Sequence, residues 1–262
     1  MVDADQLLRD GDVDGARVAL VDIVRTRPGD DQARMFLFQL LAVNGEWDKA
    51  LKQLNALVQV ASQAQLLGVT YGQAIAAEEQ RAAVFAGTAE MALLAGHGGW
   101  AEGVARAITL FARGDGPGGI RARDEAFDAA PDLAGSMDGH PFEWIADADS
   151  RFGPTMEAIV AGRYGLIPFD VVESIRSEGP RDLRDTVWYP VEIAFRSGHS
   201  GAAFLPARYP GSEASANPAH KLGRLTGWIA RDWGDEGLGQ RLWTLSDGSE
   251  RGLLDVRDIA FL

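Results

Sequence analysis

Three acidic side chains stand close together beside apolar residues in the second half of the chain: Glu143, Asp147 and Asp149. Neighbouring carboxylates can divide the roles of general acid and base, or share a divalent cation. If this segment is helical, Glu143 and Asp147 lie one turn apart and Arg151 lies one turn beyond Asp147, so an intrahelical ion pair accounts for the same pattern. Gly114-Asp115-Gly116-Pro117-Gly118-Gly119 has the spacing of a dinucleotide fingerprint. That motif needs a strand before it and a helix N-terminus at the pyrophosphate, whereas this copy follows a helical segment and contains Pro117. Gly198-His199-Ser200-Gly201-Ala202 approaches a nucleophile elbow but lacks the closing glycine and joins two strand-like segments. His97, His140, His199 and His220 are scattered without metal-ligand spacing, and cysteine is absent. No catalytic, cofactor-binding or metal-binding residue is assigned. A carboxylate hydrolase or metal-binding enzyme using Glu143, Asp147 and Asp149 is the alternative.

The 262 residues carry a formal net charge of −13. The deficit is even: 19 acids and 12 bases in residues 1–135, 19 and 13 in residues 136–262. No basic region lies beneath the total, and a field of this sign repels nucleic acid and anionic membranes. The acidic first residues lack the apolar core of a secretory signal, and no apolar run approaches the roughly 20 residues of a membrane span. A cytoplasmic protein without nucleic-acid or membrane partners is expected.

The elements that would carry any site fall into two parts. At an offset of 34 residues the pairs Leu7/Leu41, Gly11/Gly45, Ala16/Ala50, Leu20/Leu54 and Val24/Val58 coincide, and Pro28 closes the first unit. That period, with apolar residues every three or four positions, is the tetratricopeptide pattern of paired helices. A third unit is suggested at an offset of 53, where Leu93, Leu94, Ala95, Gly98, Trp100 and Leu110 echo Leu40, Leu41, Ala42, Gly45, Trp47 and Leu57. An extra helical stretch at Leu66–Phe85 makes the array irregular. A short helix is expected over Ile120–Ala130 and a linker over Pro131–Pro141.

Beyond the linker the period changes. Pro154 suits the first turn of a helix ending at Gly162. Val187–Phe195 alternates every second residue, and the turn Ser197–Gly201 leads into a return strand at Ala202–Leu205. Further strands are expected at Tyr164–Ile167, Val171–Ser177, Leu222–Ala230, Gln240–Leu245 and Leu253–Ile259. The expected fold is α+β: a tetratricopeptide-like α-helical domain over 1–133 and a compact β-rich domain with one or two helices over 134–262.

Phe142-Glu-Trp-Ile-Ala-Asp-Ala-Asp-Ser-Arg-Phe-Gly-Pro154, Pro206-Ala-Arg-Tyr-Pro-Gly-Ser-Glu213 and Gly239-Gln-Arg241 together resemble the ImpE family. These are the TagJ-type accessory proteins of bacterial type VI secretion. Phe36–Leu41, Arg81–Gly87, Ala161–Tyr164 and Leu183–Asp185 extend the resemblance along nearly the whole chain. It implies a non-enzymatic adaptor without cofactors. The implied partners are the N-terminal helix of the small contractile-sheath subunit and the AAA+ ATPase that disassembles the sheath. The sequence departs from a regular repeat between Gln59 and Val69, where no closing proline occurs. Trp144, Asp147, Arg151, Arg208, Tyr209, Glu213 and Arg241 are the candidate partner-binding or domain-interface residues. In the internal alternative, Arg151 and Arg208 pair with Asp147, Asp149 or Glu213 to lock the two parts together.

Overall fold

Gly11 and Gly45, the residues matched by the 34-residue offset, both adopt left-handed φ, 84° and 67°. Each precedes a second helix of a pair in the computed structural model, which describes residues 4–61, 64–96 and 99–262. The pairs are α1 (Ala4–Arg9) with α2 (Val13–Thr26), and α3 (Asp31–Val43) with α4 (Trp47–Val60). Asp12 and Asp30 cap α2 and α3 by accepting from Gly15 N at 2.8 Å and Ala33 N at 2.9 Å. Such caps contribute about 1 kcal/mol each. Ala16 and Ala50 are fully buried, and the missing side-chain bulk lets neighbouring helices approach closely.

The next helix, α5 (Gln65–Phe85), is followed by α6 (Trp100–Ala112) and α7 (Gly116–Ala129). The third unit is only half helical. Trp100 opens α6 as Trp47 opens α4, but Leu93 is extended and bridges Leu166. Leu94 N donates to Leu166 O and Leu166 N to Ala92 O, each at 2.8 Å, so a sheet edge captures this segment. Gly98 and His97 lie outside the described residues. Helix α7 begins at Gly116 instead of Ile120, because Asp115 caps it through Gly118 N at 2.9 Å and Pro117 fits its first turn.

The second part is antiparallel sheet. Its strands are β1 (Gly135–Met137), β2 (His140–Phe142), β3 (Ile145–Asp147), β4 (Thr155–Val160), β5 (Arg163–Pro168), β6 (Val172–Arg176), β7 (Trp188–Phe195) and β8 (Ser200–Pro206). After the short helix α8 (Pro218–Lys221) come β9 (Thr226–Arg231), β10 (Gly234–Gly239), β11 (Leu242–Leu245), β12 (Glu250–Gly252) and β13 (Asp258–Phe261). Eight strands order as β2-β1-β13-β6-β7-β8-β4-β5; β12-β11-β3 form a second sheet, and β9–β10 a hairpin. The segment read as a linker thus holds β1 and the start of β2. The segment read as a helix after Pro154 is β4. Residues expected as single strands at Leu222–Ala230 and Leu253–Ile259 are only partly extended. The first begins in the turn after α8 and becomes strand at Thr226; the second begins with a helical turn over Leu253–Asp255 and becomes strand at Asp258.

Strand β4 shows why the helical reading fails. Met156 and Ala158 face one apolar core, enclosed by the curled sheet with Ile193, Leu205 and Trp243. Ile159 faces another, shared with Leu41, Ala74 and Trp188. A segment sandwiched between two cores alternates every second residue even though both faces are apolar. Ala161 and Gly162 close the β4–β5 hairpin with φ of 48° and 75°, as a two-residue primed turn requires. Helix α5 lies across this hairpin. Gln80 Nε2 donates to Gly162 O at 3.1 Å, and Gln80 Oε1 accepts from Tyr164 N at 3.2 Å.

Candidate functional site

Where α5 crosses the sheet, a chain of charged side chains is sealed between the two cores. Arg81 projects from α5 and donates to both oxygens of Glu157 on β4, through Nε at 2.7 Å and Nη2 at 3.1 Å. Arg241, just before β11, donates to Glu157 and to Asp147 at the end of β3. Tyr209 Oη donates to Asp147 Oδ1 at 2.9 Å and accepts from Leu242 N at 3.1 Å. Tyr164 donates to Glu157. The Arg241 guanidinium also stacks between the rings of Phe152 and Tyr209, each 4.7 Å from its centre. Burial pushes the Asp147 carboxyl up to about 6, against the opposing pull of Arg241. Burial acts in the same direction on Glu157, but Arg81 and Arg241 overcome it and hold that carboxyl down at about 2.

Two further arginines extend the network. Arg151 grips Asp149 through Nε at 2.9 Å and Nη2 at 2.6 Å, and lies 5.3 Å from the ring of Phe85 at the end of α5. Glu236 approaches Arg151 at 3.5 Å. Asp149 also accepts from two backbone amides, Arg151 N at 3.0 Å and Gly237 N at 2.7 Å. Arg208 spends its donors on carbonyls: Val43 O at the end of α3, at 2.8 Å, and Lys221 O at the end of α8. Its own carbonyl accepts from Arg81 at 2.8 Å. A cation at two helix C-termini is favoured by the partial negative charge there. Burial lowers the Arg208 pKa to about 10, opposed by Glu213 and Glu78.

The structure therefore gathers Asp147, Arg151, Arg208, Tyr209 and Arg241 into one buried seam between the helical and sheet parts. Glu213 is half-buried, its side chain against Gly45, and Trp144 is exposed. The intrahelical pairing expected of Asp147 with Arg151 does not form, because residues 145–147 are a strand. Arg151 turns to Asp149, and Asp147 to Arg241. Glu143 is exposed and does not converge with Asp147 and Asp149, whose oxygens are engaged. No group of three or more histidine, cysteine or acidic side chains suited to a metal ion occurs among the described residues.

Sequence reading missed Arg81, Glu157 and Tyr164, and also Glu78, which accepts from Trp188 Nε1 at 3.0 Å. The signal was present. Glu157 is the lone charge inside Thr155–Val160, and Glu78 and Arg81 fall on the Tyr71-Ala74-Ile75 face of α5. A charge on an apolar face demands a partner elsewhere.

The other feature is open. A groove of about 540 Å³ runs between α1, α3, the junction of α4 with α5, and the helical turn at Leu183–Thr186. Its apolar lining includes Leu8, Met35, Phe36, Leu57, Leu67 and Leu183. Arg184 N donates to Gln39 Oε1 at 3.2 Å, docking that turn on α3.

A tetratricopeptide-like helical array bonded along one side to a curled antiparallel sheet is the class of architecture these features define. The family profile described as tetratricopeptide repeat matches residues 7–69, and that described as ImpE protein matches residues 139–260. The type VI secretion system accessory component TagJ of Pseudomonas aeruginosa is 41% identical over 260 residues, covering 98% of this chain and 90% of that protein. The chain belongs to the ImpE family. The crystal structure of protein VPA1032 from Vibrio parahaemolyticus superimposes with a TM-score of 0.88 at 21% identity, covering 99% of this chain and 97% of that one, and so shares the fold. No helix among the described residues is long and apolar enough to cross a membrane.

Proposed function

We propose that this chain is a non-enzymatic accessory protein of a type VI secretion system, acting in the cytoplasm. In this reading it holds the N-terminal helix of the small contractile-sheath subunit and modulates how the sheath-disassembling AAA+ ATPase handles that subunit. The observation that carries it is the likeness to TagJ over nearly the whole chain. The disposition of charge supports it. Asp147 and Asp149 are consumed by arginines and backbone amides inside the protein, Glu143 lies apart from them on the surface, and the helical array keeps an apolar surface open to solvent. Helical repeats commonly use such surfaces to take up a peptide.

The division into residues 1–133 and 134–262 belongs to the same proposal. The first part supplies the repeats and the second fixes their curvature through the buried seam, so the two work as one unit. Calorimetric titration of the full chain with a synthetic N-terminal helix of the cognate small sheath subunit tests the adaptor role. Saturable 1:1 binding is expected at micromolar concentration. No heat at high micromolar concentration, with the protein folded, would sink it.

A further inference from the structure

The groove at Leu8, Met35, Phe36, Leu57, Leu67 and Leu183 draws its walls from five separate elements, and all six side chains are aliphatic, thioether or aromatic. Gln39, a polar residue in the lining, already receives the Arg184 amide. An occupant thus finds few free hydrogen-bonding groups on the floor and must bind by apolar shape. The side chains of packed helices form the floor, leaving no strand edge to extend, which points to a ligand with its own backbone satisfied. An α-helix meets that condition. The rim adds a sign: Asp5, Asp31, Asp182 and Glu178 stand against two arginines, with Glu178 engaging Arg181 and Asp182 engaging Arg184. The whole chain adds −13 to the field around it.

We infer that this groove seats an amphipathic α-helix whose apolar stripe is flanked by lysine or arginine. The inference rests on the adaptor reading above and adds to it the place of binding and the charge of the partner. Basic flanks would meet the rim aspartates, raising the encounter rate and selecting against acidic helices. Leu183 closes one wall from the sheet part, and the bond from Arg184 N to Gln39 Oε1 that docks this turn on α3 holds that wall in place.

The test uses the full chain and three probes measured by calorimetry. One is the synthetic sheath-subunit helix. The others are amphipathic model helices of about five turns, one of leucine and lysine, one of leucine and glutamate. Expected is binding of the Leu/Lys helix at least about tenfold tighter than the Leu/Glu helix. Leu67→Glu should weaken the Leu/Lys and sheath helices about tenfold or more, since it puts a charge on the groove wall. Leu66→Glu, one residue away but outside the lining, should leave both within about twofold. The paired charge reversal Asp5→Lys with Asp31→Lys leaves the apolar floor intact and should shift preference toward the Leu/Glu helix. It keeps the test informative if Leu67→Glu fails to fold by circular dichroism. Equal affinity for the two model helices, or a folded Leu67→Glu protein with unchanged affinity for the Leu/Lys helix, overturns the inference. A sheath helix that binds normally to folded Leu67→Glu overturns the groove as its site and leaves the adaptor reading standing. A Leu/Lys helix that binds in the groove when the sheath helix does not overturns the adaptor reading and leaves the groove.

Discussion

The seam and the groove invert the usual placement of charge and oil. Between the helical and sheet parts, where an apolar core would be simplest, Arg81, Glu157, Arg241 and Asp147 are sealed from water. On the solvent side of the helical array, where polar residues would be simplest, Met35, Phe36, Leu57 and Leu67 line an open hollow. Apolar surfaces bury themselves against almost any oily neighbour, whereas buried charges must find particular partners at particular distances. The charged joint therefore specifies one orientation of helices on sheet. The apolar hollow remains available to something outside.

The largest expected effect comes from breaking the joint at its centre. Arg241→Ala leaves Asp147 and Glu157 facing each other in a dry environment and removes the cation held between Phe152 and Tyr209. A loss of about 3–5 kcal/mol in denaturant unfolding is expected, the range for orphaning a buried charge. A loss under about 1 kcal/mol would mean that water enters the seam freely.

Next is the pH dependence of Asp147. Its folded pKa of about 6 lies above the 3.8 that is ordinary for an aspartate. Between those values the folded state keeps a proton that the unfolded state has released, so this group's contribution falls as pH rises from about 4 and levels off above about 6. Each pKa unit corresponds to about 1.4 kcal/mol, giving roughly 3 kcal/mol over the window. Asp147→Asn cannot titrate. The stability of the native protein minus that of Asp147→Asn is thus expected to decline between pH 4 and 7, read from unfolding midpoints. Glu157 has the opposite sign: its pKa is depressed, so its stabilisation is present above the unfolded value and is lost as pH falls toward 2. A flat difference between the two proteins across pH 4–7 would remove Asp147 as the titrating group.

Tyr209→Phe sharpens the comparison at smaller scale. The hydroxyl joins Asp147 to Leu242 N, and its loss leaves the amide without that acceptor. About 1–3 kcal/mol is expected, as for an unsatisfied buried group. Asp147 still accepts from Asp149 N and Arg241, so Tyr209→Phe should cost less than Arg241→Ala.

These two regions were unequally legible in the sequence. The repeat was readable because Gly11/Gly45, Ala16/Ala50 and Leu20/Leu54 are each set by local packing within a helix pair. The β7–β8 hairpin was readable because strand alternation is also local. Strand β4 was not, because apolar residues on both faces erase the alternation that marks a half-buried strand. Asp138-Gly139, at φ of 50° and 81°, closes the β1–β2 hairpin and is a strong turn signal that the linker reading passed over. The seam was half visible. Asp147, Arg151, Arg208, Tyr209 and Arg241 stood out in motifs, yet their partners Arg81 and Glu157 lie 76 residues apart on elements whose contact only the fold creates. Periodicity says which face is buried, never which buried charge meets which.

The smallest expected effect is on the groove itself. Leu67 is half-buried and belongs to the first turn of α5, where its outer side meets solvent. Leu67→Gln removes little apolar area from water-free surroundings, keeps a good helix former, and orphans no polar group, so its cost should stay below about 1 kcal/mol. The contrast with Arg241→Ala is the point of the measurement. If the hollow were only an imperfectly filled part of the core, polar substitution there would cost as much as it does elsewhere in the helical array. If it is surface kept open for a partner, Leu67→Gln leaves the unfolding midpoint nearly unchanged while Arg241→Ala moves it far. Equal losses at the two positions would erase the distinction between joint and hollow.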